Sequence, residues 1–210
     1  MRIFGTSLLF FSTIFFSCSG EKTQPEPKFD VRDDSATRVR TERDLNPYAT
    51  VDISPMDMSY YPVEYPKLKM SKLTTEPPVA RVVYRRPHLG GRTLFNGILR
   101  YDTTWRLGAN EATELEFYRD VKIKGQPVKA GRYVLYCIPG RETWKLVLNS
   151  NIDTWGLEQD GSKDVAEFIV PVLNSKMQIE YFTIVFQKST TGAELIMAWD
   201  GVEARLPIEF

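Results

Sequence analysis

The sequence predicts an all-β domain, an antiparallel β-sandwich of jelly-roll-like form, with a closed barrel as the alternative. Three observations lead there. Apolar and polar residues alternate with a period of two in one segment after another. Short turns rich in Gly, Pro, Asn and Asp separate the segments. No segment carries a helical apolar stripe of about ten residues.

The segments follow in order. "SPMDMSYYPVEYP" (54–66) mixes aromatics with prolines and reads as an irregular or edge segment. "ARVVYRR" puts Val82 and Tyr84 on one face. "TELEFYRDVKI" sets Leu115 and Phe117 against Glu114 and Glu116. "RYVLYCI" is apolar on both faces, as a central strand would be. "WKLVLN" aligns Trp144, Leu146 and Leu148, and "YFTIVFQ" aligns Phe182, Ile184 and Phe186. "AELIMAW" aligns Leu195, Met197 and Trp199, and "VEARLPI" turns Glu203 and Arg205 outward. "WDGVE" between these last two reads as an Asp-Gly hairpin. "KGQPVKAG", "IPGRET", "SNIDTWG" and "STTGAE" read as turns. "DGSKDVAEF" allows a short helical turn, although Ala166, Phe168, Val170 and Val172 also alternate.

The N-terminus reads as a targeting segment, residues 1–17. Arg2 precedes the apolar run "IFGTSLLFFSTIFFSC", which is short for a membrane span of about 20 residues. The Ser17-Cys18 pair resembles a bacterial lipobox, which implies a lipidated Cys18 at the mature N-terminus. Plain cleavage and an uncleaved anchor are the alternatives. Residues 18–47 are polar, charged and poor in large apolar groups, so they read as a flexible tether. Residues 48–210 form the single folded domain. The expected place is the cell envelope of a Gram-negative bacterium, held to the membrane by lipid and facing the periplasm or the cell surface.

Composition narrows the function. Lys plus Arg equals Asp plus Glu at 27 each, and no basic run is present, so nucleic-acid binding has no support. With Cys18 assigned to lipid, Cys137 stands alone between apolar neighbours and reads as a buried, inert thiol. The lone His88 supplies neither a nucleophile's base nor a zinc ligand set. No cofactor or resident metal is expected. A carboxylate-bound calcium on Asp153, Asp160 and Asp164 is a weaker alternative that lacks a recognised loop spacing.

Two stretches break the alternation, "YRRPHLGGRTLFNG" (84–97) and "YDTTWRLGANEAT" (101–113). Together with "A-G-x-Y" at Ala130 to Tyr133 and "W-G" at Trp155 and Gly156, they resemble the bacterial envelope family DUF2911. The resemblance rests most on Trp105, Arg106, Gly108, Ala109, Asn110, Glu111, Ala112 and Thr113, and runs from about Ser54 to the C-terminus. Arg100 and Leu107 stand where Pro and Thr are expected. The resemblance implies a secreted or envelope β-rich domain and carries no activity with it.

The polar residues of these stretches admit two readings. In the first, Gly108 turns the chain, Arg106 pairs with Glu111 or Glu114, and Asn110 satisfies turn amides in a structural network. In the second they line a ligand site. Arg86, Arg92 and Arg106 offer forks for a carboxylate or phosphate, and Trp105 and Trp155 offer faces for a sugar ring. Asn110, Glu111, Thr113 and Asp164 add donors and acceptors. The working expectation is an envelope domain binding a small acidic or saccharide-like ligand at one end of the sandwich. A structural or accessory envelope domain is the alternative. A glycan hydrolase-like enzyme using Glu111 and Asp164 is a further one. No catalytic residue is assigned, and the sequence names no protein partner.

Overall fold

Alternating segments of this kind pair edge to edge, and the computed structural model shows how. It describes residues 54–210, which fall within one compact unit, Asn46–Phe210. The expected signal segment, Cys18 and the tether lie outside the described residues.

Nine strands form one antiparallel sheet: β1 (Met56–Tyr61), β2 (Ala80–Arg85), β3 (Glu114–Phe117), β4 (Val121–Ile123), β5 (Gln126–Val128), β6 (Gly131–Pro139), β7 (Thr143–Asn149), β8 (Asp164–Lys188) and β9 (Gly192–Glu209). Their order across the sheet is β1-β2-β3-β6-β7-β8-β9-β4-β5, with β1 and β5 at the edges. The sheet is not closed into a barrel. The fold is sandwich-like, but its layers are parts of one folded sheet rather than two separate sheets.

Two long strands make the fold. β8 pairs with β7 through its first half and with β9 further on, and the β8–β9 register shifts between Asn174 and Ile179 and again before Thr183. Such bulges bend a strand and let it pass from one layer to the other. The expected Asp-Gly hairpin is therefore absent. Asp200, at φ 53°, sits within a single continuous β9, opposite Ile179. The true β8–β9 connection is the Ser189–Thr191 turn, where the Ser189 N–H reaches the Gly192 carbonyl at 3.0 Å.

"TELEFYRDVKI" also holds more than one strand. Its first half pairs with β2 and β6, and its second half pairs with β5 and β9. "KGQPV" is a two-residue hairpin and a strand rather than a plain turn. Lys124 and Gly125 both take positive φ, as the I′ turn between β4 and β5 requires. The Pro-rich segment near Tyr61 yields edge strand β1 and a six-residue helix, α1 (Tyr65–Met70), which the alternation did not foretell.

The core joins the inward residues of both layers in one cluster, from Val82 and Tyr84 to Phe182, Leu195 and Trp199. Tyr84 meets Phe182 edge to face at 5.8 Å, which brings β2 against the second half of β8. The chain after β2 also reaches β8. The Phe182 N–H donates to the Pro87 carbonyl at 2.9 Å, and the Leu89 N–H to the Glu180 carbonyl at 3.0 Å. β6 is buried on both faces, as its composition implied, and Cys137 within it is fully buried. Burial pushes the Cys137 thiol well above its usual pKa, so it stays protonated and inert.

Candidate functional site

The stretch from Trp105 to Thr113 is an excursion out of the β3 line. Trp105 bridges to Cys137 of β6 by a reciprocal backbone pair at 2.7 and 2.8 Å. Thr113 rejoins β6 when its carbonyl accepts from the Leu135 N–H at 2.8 Å. Between them the chain loops out and is closed at its neck by the Thr113 N–H on the Arg106 carbonyl at 3.3 Å. Leu107 and Asn110 take the left-handed turns, at φ 52° and 57°. Gly108, expected to supply that freedom, serves close packing instead. A Cβ there would lie 3.2 Å from both the Arg85 carbonyl and Thr113 Oγ1.

Trp105 and Thr113 fix this loop from inside. The Trp105 ring is 8 % exposed and packs at 4.8 to 5.9 Å from Phe182, Trp199 and Trp144. Its Nε1–H donates to the Gly108 carbonyl at 3.2 Å. Thr113 is fully buried, and its hydroxyl donates to the Leu107 carbonyl at 2.6 Å. Both residues are therefore anchors of the loop before they are anything else.

Above this base lies a cleft of about 390 Å³. Arg92, Arg106, the rim of Trp105, Thr104, Gly156 and Leu157 line it, with Trp199 behind. The Arg92 guanidinium donates to the Leu89 and His88 carbonyls, each at 2.8 Å. Arg106 Nη1 donates to the Trp155 carbonyl at 3.0 Å. Neither guanidinium has an ion-paired carboxylate among the described residues. Burial lowers the Arg106 pKa, and the negative charge of Glu111 partly opposes that. Arg106 still carries its charge at neutral pH.

The predicted pairing of Arg106 with Glu111 or Glu114 is not what forms. Arg85 takes Glu111 with two hydrogen bonds, at 2.8 and 3.2 Å, and holds its carboxyl below the usual range. Arg132 takes Glu114 at 2.9 Å and Asp153 at 2.8 Å. Glu111, Glu114, Arg132 and Asp153 line a separate groove of about 380 Å³ with Trp155, whose side chain is 55 % exposed.

The three arginines do not all converge. Arg92 and Arg106 share the cleft, whereas Arg86 belongs to a separate cluster. It pairs with Asp57 at 3.3 Å, donates to Phe182 O and Thr183 Oγ1, and lies 5.9 Å from the Tyr181 ring. Asn110 is in the loop but lines neither depression. Asp164 lies elsewhere again, accepting from Tyr136 at 2.9 Å and from the Asn149 amide at 2.7 Å.

Glu111 and Asp164 are thus held in different networks, and nothing in the geometry presents them as an acid and base pair. The carboxylates weighed for calcium are also apart in role. Asp153 accepts from Arg132, Asp160 caps the Gly161–Lys163 turn, and Asp164 binds Tyr136. Among the described residues no group of three or more His, Cys, Asp or Glu is placed to hold a metal ion. No helix among them is long and apolar enough to cross a membrane.

Leu157, Gly156 and Thr104 went unread as cleft residues. Gly156 carried the signal, being the glycine after Trp155 in the matching "W-G" pair. It takes φ 74°, and a Cβ on it would lie 2.9 Å from Ala112 Cβ and 3.1 Å from Arg106 Cβ. That close approach seats the 150–163 loop against the Arg106 loop.

Fold and site define an all-β domain built on one antiparallel sheet, with an arginine-lined cleft at the β2–β3 connection. The chain belongs to the DUF2911 family, described as a protein of unknown function, which matches residues 67–208. No curated protein matches the chain, and no solved structure matches it.

Proposed function

We propose that the chain is a lipid-anchored envelope protein whose folded domain binds a small anion, a carboxylate or phosphate, in the Arg92–Arg106 cleft. One observation carries the binding reading. Two guanidiniums line one cleft without a carboxylate ion-paired to either among the described residues. Their hydrogen bonds go to backbone carbonyls, which orient the forks but leave both without an ion-paired carboxylate, the nearby Glu111 offsetting only part of the Arg106 charge. An anion supplies that partner, and planar guanidinium suits carboxylate and phosphate oxygens. The apolar wall of Leu99, Trp105 and Trp199 keeps part of the site dry, which strengthens the attraction.

Thermal unfolding of the full chain tests this against inorganic phosphate, succinate and a sugar phosphate. Ligand at about 100 times its dissociation constant adds about 2.7 kcal/mol, a rise of about 5–11 °C for a chain of this size. Arg106→Gln should erase the rise while keeping a cooperative transition. The anchoring half rests on the Ser17-Cys18 motif and the apolar run before it. Cells labelled with a palmitate analogue should mark the wild-type chain and not Cys18→Ser.

A structural reading is favoured by a different observation, the hydrogen bond from Arg106 to the Trp155 carbonyl. If that bond is the whole purpose of Arg106, the same variant should lose several degrees of midpoint, and no anion should raise the wild type.

A further inference from the structure

We infer that the groove beside Trp155 is a second binding site, one that takes a neutral saccharide stacked on the indole. It goes beyond the anion cleft and shares no charged lining residue with it. Of the four Trp in the chain, Trp105, Trp144 and Trp199 are buried, and Trp155 alone is 55 % exposed. Its backbone is nonetheless fixed on both sides. The Thr154 carbonyl accepts from the Ala112 N–H at 3.3 Å, and the Trp155 carbonyl accepts from Arg106 at 3.0 Å. Gly156 then packs against Ala112 and Arg106 so closely that a Cβ on it would lie 2.9 Å from Ala112 Cβ. The protein therefore presents a large apolar ring to solvent from an anchored segment, in a groove of about 380 Å³.

The other walls give the ligand class. Arg132 Nη2 bridges Glu114 and Asp153 at 2.8 to 2.9 Å, and Arg85 clasps Glu111. These planar groups hold one another in place, and with three carboxylates to two guanidiniums the groove keeps a net negative charge. That charge repels an anion. A sugar is accepted, because its hydroxyls donate to carboxylate oxygens without breaking the pairs already made. Carboxylate oxygens of the 71 % exposed Asp153 side chain remain open to hydroxyl donors. An indole face beside such groups suits the C–H face of a pyranose ring, with hydroxyls at its edge meeting the polar wall.

The test uses the four indole N–H signals of the full chain in a nitrogen-15 correlation spectrum, titrated with chitotriose, cellotriose and maltotriose. At least one sugar should move the Trp155 signal saturably and leave the three buried indoles in place. Trp155→Ala should weaken binding of that sugar by about tenfold or more at an unchanged unfolding midpoint, Trp155→Phe should restore part of it, and Arg92→Gln should leave it intact. If none of the three sugars moves the Trp155 signal, the inference is overturned. It is equally overturned if tetramethylammonium moves it and no sugar does, or if Arg92→Gln abolishes the sugar response, which would put the sugar in the anion cleft instead.

Discussion

The cleft and the groove meet along one short segment, yet arginine and tryptophan have opposite fates in them. Trp155 lines the groove, while the next two residues, Gly156 and Leu157, line the cleft. In the groove the carboxylates Glu111, Glu114 and Asp153 are met by Arg85 and Arg132. In the cleft, Arg92 and Arg106 meet only backbone carbonyls. The tryptophans reverse the pattern. Trp105 of the cleft is core, whereas Trp155 of the groove faces solvent. Residue type alone therefore says little. What an arginine or a tryptophan can do here is decided by whether the fold has already satisfied it.

The largest effect that would break this contrast is on the tryptophans. Trp105→Ala removes a buried ring in contact with three other core aromatics and should cost about 3–5 kcal/mol in chemical denaturation, enough to threaten folding. Trp155→Ala should stay within about 0.5 kcal/mol of wild type. Equal losses would mean that Trp155 is part of the core in solution.

Gly156→Ala comes next. Its Cβ would press on Ala112 at a φ of 74°, so the variant should lose about 1–3 kcal/mol. Because Arg106 and Trp155 both flank this contact, responses to ligand in cleft and groove should weaken together. A Gly156→Ala chain as stable as wild type would show that the loop does not depend on that close approach.

The smallest effect is electrostatic. The hydrogen bond from Arg85 sets the Glu111 pKa below its ordinary 4.5. The stability from this pair is therefore complete above that pH and is lost as pH falls through the depressed folded value. The Glu111 side chain is 43 % exposed, and screening limits such a pair to at most about 1 kcal/mol. Denaturation midpoints of wild type and Glu111→Gln should differ most at neutral pH and converge in acid. A gap that widens in acid would reverse the sign and remove Arg85 as the cause.

Much of the fold was legible because a strand's two faces print directly as alternation. β2, β6 and β7 all stand where their patterns put them. The short helix at Tyr65–Met70 was not legible, since six residues with Pro66 near the start show no stripe. Nor was the continuity of β9, because Asp200-Gly201 has the chemistry of a hairpin turn and here runs on within the strand, opposite the bulged stretch of β8. The site was half legible. Of the arginines expected to converge, Arg92 and Arg106 share a cleft with Trp105 and Arg86 does not, and the partner of Glu111 was not foreseen. That pairing depends on sheet register. Val83 stands opposite Glu114, which sets the end of β2, with Arg85, beside the chain entering β3. One residue of slip would give the acids different partners. Arg86, the neighbour of Arg85, falls on the other face and into the Asp57 and Phe182 cluster for the same reason.

Isothermal titration of the full chain with inorganic phosphate and with succinate, for wild type, Arg92→Gln, Arg106→Gln and Arg85→Gln, tests the cleft most directly. Loss of either cleft guanidinium should weaken binding by about tenfold or more, as a charge-assisted pair of about 1.5–3 kcal/mol requires, and Arg85→Gln should bind as wild type does. No heat from either anion, or equal weakening by Arg85→Gln, would contradict a cleft built on Arg92 and Arg106.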